Sequence, residues 1–459
     1  MIEKGNKKLI RGWVMYDWAN SVYNLVISSA IFPIFYSNLT TKLYAFNKLG
    51  WTQEKWDAKK GTYDFGAVTV DFFGAEVESQ VLISYILSAS FLMVSFLSPL
   101  LSGVADFIGN KKRFMQFFCY LGAFSCMGLS VIETNLELGL IALFLASIGF
   151  WNSLVFYNAY LPEIAEPKEH DKISARGFSM GYFGSMVLLV ICLYFTMASD
   201  ASNGLYVPVI GEYWKAYYSF ILVGVWWIGF SQITYRVLPN NVYNKKREKG
   251  FIWKGFHELG LVFKEFRKTR RLKRYLASFF FFNTGVQTVM LMAVYFAKGE
   301  INWGESGGDI GLIISILLIQ ILGAAGAFLM SRLSGKIGNI RTLMITVTIW
   351  VGLCIYAFFI TLPTEFYMLA CGVGLVMGGV QAISRSTYSK FLPETEDHAS
   401  YFSFYDVTEK IGIVLGTFFY GLMFDLTGDL RMSVLSITFF FCVGLILLFF
   451  VPKEERVAS

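Results

Sequence analysis

Asp17, Asn20, Asn24 and Ser28 follow one another at spacings of three, four and four in the stretch that begins YDWANS. At helical pitch those spacings bring all four side chains to one face. Such a face can recognise a neutral or zwitterionic polar solute, because amides both donate and accept hydrogen bonds, and its carboxylate can carry a proton. Arg385, Asp406, Glu409 and Lys410 form a second ionisable group inside apolar surroundings. A charge in such a place marks a functional site by default, since its burial is expensive and its proton affinity can be displaced. A structural reading stands beside that one: Arg385 pairs with Asp406 or Glu409, Asp17 pairs with a base such as Arg176, and the pairs close a mouth between helices.

The elements that must carry these residues are membrane-crossing helices. Of 459 residues, 55% are apolar and only 16% charged, against about 25% charged in soluble domains. Twelve apolar runs are each long enough to cross a hydrocarbon core as about 20 residues of helix. They cover 12 to 38, 80 to 104, 113 to 132, 137 to 161, 176 to 199, 215 to 238, 274 to 298, 309 to 333, 341 to 362, 365 to 390, 400 to 425 and 430 to 451. Runs such as SFFFFNTGVQTVMLMAVYF lack the every-second-residue alternation of a barrel strand, and lipid leaves no other way to satisfy the backbone. The expected fold class is therefore an all-α integral membrane protein.

Cation placement orients it. With both termini in the cytoplasm, 30 of the 39 Lys and Arg fall on that side, 8 on the other, and Lys410 within a span. That bias fits the positive-inside rule and makes the +6 net charge a matter of topology and of an anionic inner leaflet, not of nucleic acid. The first span, preceded by Lys4, Lys7, Lys8 and Arg11, is too long and polar for a cleaved signal and reads as an anchor. The six cysteines all fall in apolar runs without C-x-x-C, as small buried hydrophobes do. His170, His257 and His398 lie in cytoplasmic connections without ligand spacing, and there is no phosphate-cradling glycine loop, nucleophile elbow or zinc motif. Neither an enzyme, nor a metal site, nor a cofactor is expected.

The chain repeats itself. GVADFIGNKKR at 103 to 113 corresponds to RLSGKIGNIRT at 332 to 342, with Gly109 and Gly338 229 apart; YLPE corresponds to FLPE, with Pro162 and Pro393 231 apart. Gly181 and Gly412 are also 231 apart, whereas Asn20 and Asn283 are 263 apart. The excess is an outer loop, 39 to 79, whose TYDFGAVTVDFF is expected to hold a small hairpin. The expected organisation is a six-helix bundle at 1 to 238, a basic linker at 239 to 273 and a second six-helix bundle at 274 to 459. In the linker, Ile252, Phe256, Leu259, Phe263 and Phe266 stand near helical spacing, which reads as an amphipathic helix on the inner leaflet or as a solvated connection. Gly177 with Gly181, Gly412 with Gly416, and Gly323 with Gly326 permit close helix approach, either between rocking halves or within one.

Two parallel six-helix repeats joined by a cytoplasmic linker are the plan of the major facilitator superfamily, which binds substrate near the midplane between its halves. The loop with Gly103, Asp106, Gly109, Lys112 and Arg113 resembles that superfamily's loop between helices 2 and 3. There Gly109 permits the reversal, Asp106 can accept from a neighbouring helix N-terminus or an arginine, and Lys111 to Arg113 would sit at anionic lipid. Gly335 replaces the aspartate in the second copy, so such a latch should be one-sided. YDWANS, YNAYLPE, GFSMGYFGS, ISRSTYSKFLPE and YFSFYDVTEK resemble more specifically the vacuole-effluxer-like family of that superfamily, in order along spans 1 to 11. The resemblance implies transport, with amino-acid export as the family's suggested activity.

It also implies a cavity lined by spans 1, 4, 7 and 10. On that plan Asn20, Asn24 and Ser28 are joined by Ser147, Trp151 and Asn158, by Asn283, Thr284 and Gln287, and by Gln381, Ser384 and Arg385; helix-to-helix packing is the alternative use of the same residues. Asp17 is the expected proton carrier, with Arg176, Arg385, Asp406, Glu409 and Lys410 as coupling or gate residues. The expected function is secondary transport of a small polar solute across a bacterial cytoplasmic membrane, with protons as the candidate coupling ion. The rivals are an exporter of amphipathic compounds or lipids, and a transporter-like sensor or scaffold.

Overall fold

The computed structural model describes residues 4–59, 63, 65–200, 206–207, 212–240, 251–304 and 308–453. Among the described residues, twelve helices are long and apolar enough to cross a membrane. Helix 1 runs Lys7–Asn47, helix 2 Ser79–Ile108, helix 3 Lys111–Gly128, helix 4 Leu136–Asn158, helix 5 His170–Asp200 and helix 6 Tyr218–Val237. The second half repeats the set as helix 7 (Arg270–Glu300), helix 8 (Gly308–Ile337), helix 9 (Asn339–Phe359), helix 10 (Pro363–Phe391), helix 11 (His398–Thr427) and helix 12 (Leu430–Phe449). Large apolar side chains such as Phe96, Phe117, Phe418 and Phe449 remain exposed on these helices. Hydrocarbon, not water, is the medium that suits them.

Helix 1 differs from its expected form in two ways. It continues to Asn47 instead of stopping at 38, because no glycine or proline interrupts the chain between Pro33 and Gly50. It also changes pitch: Tyr23–Ala30 is a π-helix between two α-helical pieces. Beyond it, the outer connection contains a short helix, Gln53–Lys59, and a hairpin of β1 (Thr69–Phe72) and β2 (Ala75–Glu78), with Val70 opposite Val77. TYDFGAVTVDFF therefore supplies only the first strand. Phe73 and Gly74 turn the hairpin, both at positive φ (52° and 81°), as a tight two-residue turn requires.

Gly109 ends helix 2 at φ 72°, its N–H bonded to the carbonyls of Ala105 and Asp106, and Gly338 stands at φ 87° at the equivalent reversal. Both glycines supply a backbone state that other residues enter only with strain. The connecting segment between the halves contains a helix at Phe251–Lys268, which packs on helices 2 and 11. Phe263 and Phe266 contact the Phe404 ring at 5.9 and 5.5 Å between centroids, Val262 is buried and Leu259 half-buried. Trp253 and Leu261 are exposed, and the side chains of Ile252 and Phe256 lie outside the described residues.

The glycine pairs serve unlike seams. Gly177 and Gly181 bring helix 5 against Asp17 and Ser21 of helix 1, and Gly323 meets Tyr182 across the halves. Gly326, Gly412 and Gly416 pack within the second half, against Leu375, Thr284 and Thr288.

Candidate functional site: a cavity between the halves

Helix 10 sends one arginine into the opposite half. Arg385 Nη2 lies 3.1 Å from Asp17 Oδ2, and Nη1 donates to Asn158 Oδ1 at 3.3 Å. Its Nε donates to Ser174 Oγ and its Nη2 to the Ser174 carbonyl, each at 3.0 Å. Tyr157 donates its hydroxyl to the same Asp17 oxygen at 2.7 Å, and the guanidinium lies 4.1 Å from the Phe178 ring centroid and 4.8 Å from that of Trp13. Helices 1, 4 and 5 of the first half thus hold one side chain of the second, with Arg385 3% and Asp17 4% exposed. A buried guanidinium tolerates such burial only with its charge and its fork of donors satisfied. The expected partners were different. Arg176 is exposed, being one residue off the inward face that carries Ser174, Gly177 and Phe178.

Asp406 and Glu409 do not take Arg385, because a nearer cation lies between them. Lys410 Nζ lies 3.1 Å from Asp406 Oδ1, one helical turn away, and 3.6 Å from Glu409 Oε2. Lys410 is fully buried, with its ammonium 3.4 Å from the centroid of a Trp151 ring on helix 4. Gln287 of helix 7 donates to Glu409 Oε1 at 2.6 Å.

Above Arg385 opens a cavity of about 260 Å³. Asn20, Asn24, Trp151, Asn158, Asn283, Gln287, Gln381, Ser384 and Glu409 line it, together with Asp17 and Arg385. Ser28 does not, and Ser29 does. The π-helical turn is the reason: its wider i→i+5 winding carries the cavity face from Asn24 to Ser29, whose hydroxyl donates to the Asn24 carbonyl at 2.9 Å. Ser147 and Thr284 are buried in packing; Ser147 pairs with Ser90 at 2.7 Å, and the Thr284 hydroxyl donates to the Phe280 carbonyl at 2.6 Å beside Gly412. Along helix 10 the lining passes from Phe366, Leu369 and Val373 near its start to Gln381, Ser384 and Arg385 near its end. The wall is therefore apolar in one half of its depth and polar in the other.

Hydrogen bonds and ion pairs between the halves, among the described residues, concentrate in the helix portions nearer the chain's start and the linker. Tyr182 donates to Gln381 at 2.7 Å, Ser179 to the Ala324 carbonyl at 3.0 Å and Ser174 to the Ala382 carbonyl at 2.8 Å. Asp106, ending helix 2, accepts the N–H groups of Ala399 (3.2 Å) and Ser400 (2.7 Å) at the start of helix 11, where the helix dipole favours a negative charge. Lys111 pairs with Glu163 and lies 3.7 Å from Asp106, while His398 Nδ1 stands 3.2 Å from Glu163 Oε1. Lys111 and Lys112 are buried, Lys112 donating to the Leu238 carbonyl at 2.7 Å, so of the three cations expected at lipid only Arg113 is exposed. Gly103 is buried within helix 2. With this end fastened, the cavity opens toward the other.

Sequence reasoning missed Tyr157, Ser174, Tyr182 and Asp171. Tyr157 opens YNAYLPE and Ser174 precedes GFSMGYFGS, so both lay beside quoted motifs without a spacing that marks them.

The family model described as "Vacuole effluxer Atg22 like" matches residues 5–458. An MFS-type transporter of Bacillus subtilis, YxiO, is 29% identical over 96% of this chain and 94% of its own length. Autophagy-related protein 22 of Yarrowia lipolytica is 24% identical over 85% and 79%. Among solved structures, the human organic anion transporter MFSD10 superposes with TM-score 0.70 at 12% identity, covering 97% of this chain and all of its own. The major facilitator transporter FucP in its outward conformation gives 0.61 at 15%, covering 98% and 99%. These structural likenesses establish the major facilitator fold.

Proposed function

We propose that this chain, which belongs to the vacuole effluxer Atg22 like family and is a multi-pass membrane transporter of the major facilitator type, moves an amino acid or similar small metabolite by alternating access. The relative YxiO and the structural neighbours MFSD10 and FucP are described as transporters, not enzymes. The observation that carries the finer reading is Arg385: one C-half cation, buried between helices 1, 4 and 5, beneath a cavity rimmed by amides from both halves. A zwitterion has complementary groups for this floor, a carboxylate for amide donors such as Asn20 and Asn283 and an ammonium for Glu409. The volume of about 260 Å³ suits a metabolite better than a drug-sized ligand.

Asp17 is the proposed proton carrier. Protonation would remove the charge that holds Arg385 across the interface and so link proton binding to separation of the halves. Efflux is the proposed direction, and a bacterial cytoplasmic membrane with both termini inside is the proposed setting, supported by the cation bias. The apolar wall of Phe366, Leu369 and Val373 favours one second reading, an amphipathic solute whose apolar part rests there.

Thermal-shift screening of purified protein against amino acids, peptides, nucleosides and amphipathic compounds, followed by counterflow of any labelled hit in liposomes, tests the proposal. Counterflow of an amino acid is the expected result. Movement of amphipathic compounds alone supports the second reading, and no movement of any stabilising solute overturns transport.

A further inference from the structure

Asp106 and Asp171 are two of the carboxylates that fasten the halves at the closed end, and they sit in unlike places. Asp106 is in the first half at the end of helix 2, and its counterpart in the second half is Gly335. No mirror-image latch can form there. Asp171, in the first turn of helix 5, closes that side instead. Its Oδ2 accepts from Ser334 Oγ of helix 8 at 2.7 Å and from Lys390 Nζ of helix 10 at 2.6 Å, and its Oδ1 accepts from Asn339 Nδ2 of helix 9 at 2.7 Å. Lys390 also donates to Asn339 Oδ1 at 3.0 Å, and Asn339 Nδ2 to Thr387 Oγ1 at 2.9 Å. One first-half carboxylate, 6% exposed, thus gathers three second-half helices.

We propose that Asp171 is the second gate residue, a positioning residue whose release from Ser334, Asn339 and Lys390 is required before the halves part at this end. The inference rests on the alternating-access reading above. The two latches differ in their donors. Those of Asp106 are backbone N–H groups, which leave only when helix 11 itself moves. Those of Asp171 are side chains, one of them charged, which rotamer changes can withdraw one at a time. Asp171 therefore sets how firmly the gate holds, while Asp106 sets where helix 11 docks. A charged, hydrogen-bonded pair shielded from water holds more strongly than an exposed one.

Double electron–electron resonance tests this, with spin labels at Arg113 and Arg341, exposed residues at the start of helices 3 and 9 on opposite halves, and with Cys371 and Cys442 replaced by serine. Wild type is expected to give mainly one short distance. Asp171→Ala and Lys390→Ala should each raise a longer-distance population about tenfold, in keeping with loss of a charge-assisted hydrogen bond. Should Asp171→Ala fail to fold, Lys390→Ala, which leaves the Ser334 and Asn339 bonds in place, carries the test. The proposal is overturned if both variants keep the wild-type distribution while Asp106→Ala shifts it. If Asp106→Ala and a transported solute also leave the distances unchanged, alternating access itself fails.

Discussion

Two of the buried ion clusters border the cavity, and they differ in what they join. Asp17 and Arg385 belong to opposite halves, with the rest of the arginine's partners also across the interface. Asp406, Glu409 and Lys410 occupy neighbouring turns of helix 11 and are braced by Gln287 of their own half. A pair along one helix travels with that helix and survives a rigid-body motion, whereas a pair between halves must part when they do. The Trp151 ring over Lys410 meets the second cluster from the first half, without an ion pair to it. On the proposed alternating-access cycle, the first cluster is the one placed to couple chemistry to motion, and the second shapes and charges a wall.

Removing one member of the bridging pair should have the largest effect. Asp17→Ala strands a buried guanidinium and should destabilise the detergent-solubilised protein by about 3–5 kcal/mol. Adding Arg385→Met should restore most of that stability without restoring transport. A melting curve of the double variant as low as that of Asp17→Ala would show that the two residues do not act as a pair.

Gly177→Ala comes next. A Cβ there would collide with Asp17 Oδ2 and stand 2.8 Å from Arg385 Nη2, whereas one at Gly412 would meet Thr284 Oγ1 at 2.6 Å within a single half. Overpacking should cost both variants about 1–3 kcal/mol, but solute exchange should fall only for Gly177→Ala. Equal loss of exchange in the two would erase the distinction between the seams.

How much of this was legible in the sequence depends on the scale of the signal. Twelve spans, two halves and the polar face of helix 1 follow from runs of about 20 residues and a repeat near 230, which survive local irregularity. Pairing of charges does not, since Arg385 selects Asp17 over Asp406 by the direction of one side chain across an interface. Likewise the exchange of Ser28 for Ser29 follows from a pitch change that no residue in YNLVISSA announces. Asp171 lies ahead of the span expected at 176 to 199, and nothing in its neighbourhood marks the three helices it meets.

Glu409→Gln should be milder than either earlier variant. It keeps an acceptor for Gln287 while removing the charge, and should lower stability by about 1 kcal/mol and weaken retention of cationic groups in the cavity. Titration of the purified variant against the solute, compared with wild type, reads the second effect. The smallest contrast is between neighbouring serines. Ser29→Ala should change solute affinity by about 0.5–1 kcal/mol, and Ser28→Ala should leave it within about 0.5 kcal/mol. The reverse order would place the π-helical turn elsewhere.

The most direct test of the bridging pair's role is Asp17→Asn in proteoliposomes, measuring flux of a labelled amino acid under an imposed proton gradient and, separately, its exchange at equal pH. Exchange retained with gradient-driven accumulation lost is the predicted result. Retention of both, or loss of both in protein that still melts cooperatively, would contradict the assignment of Asp17 as the group that couples protons to the parting of the halves.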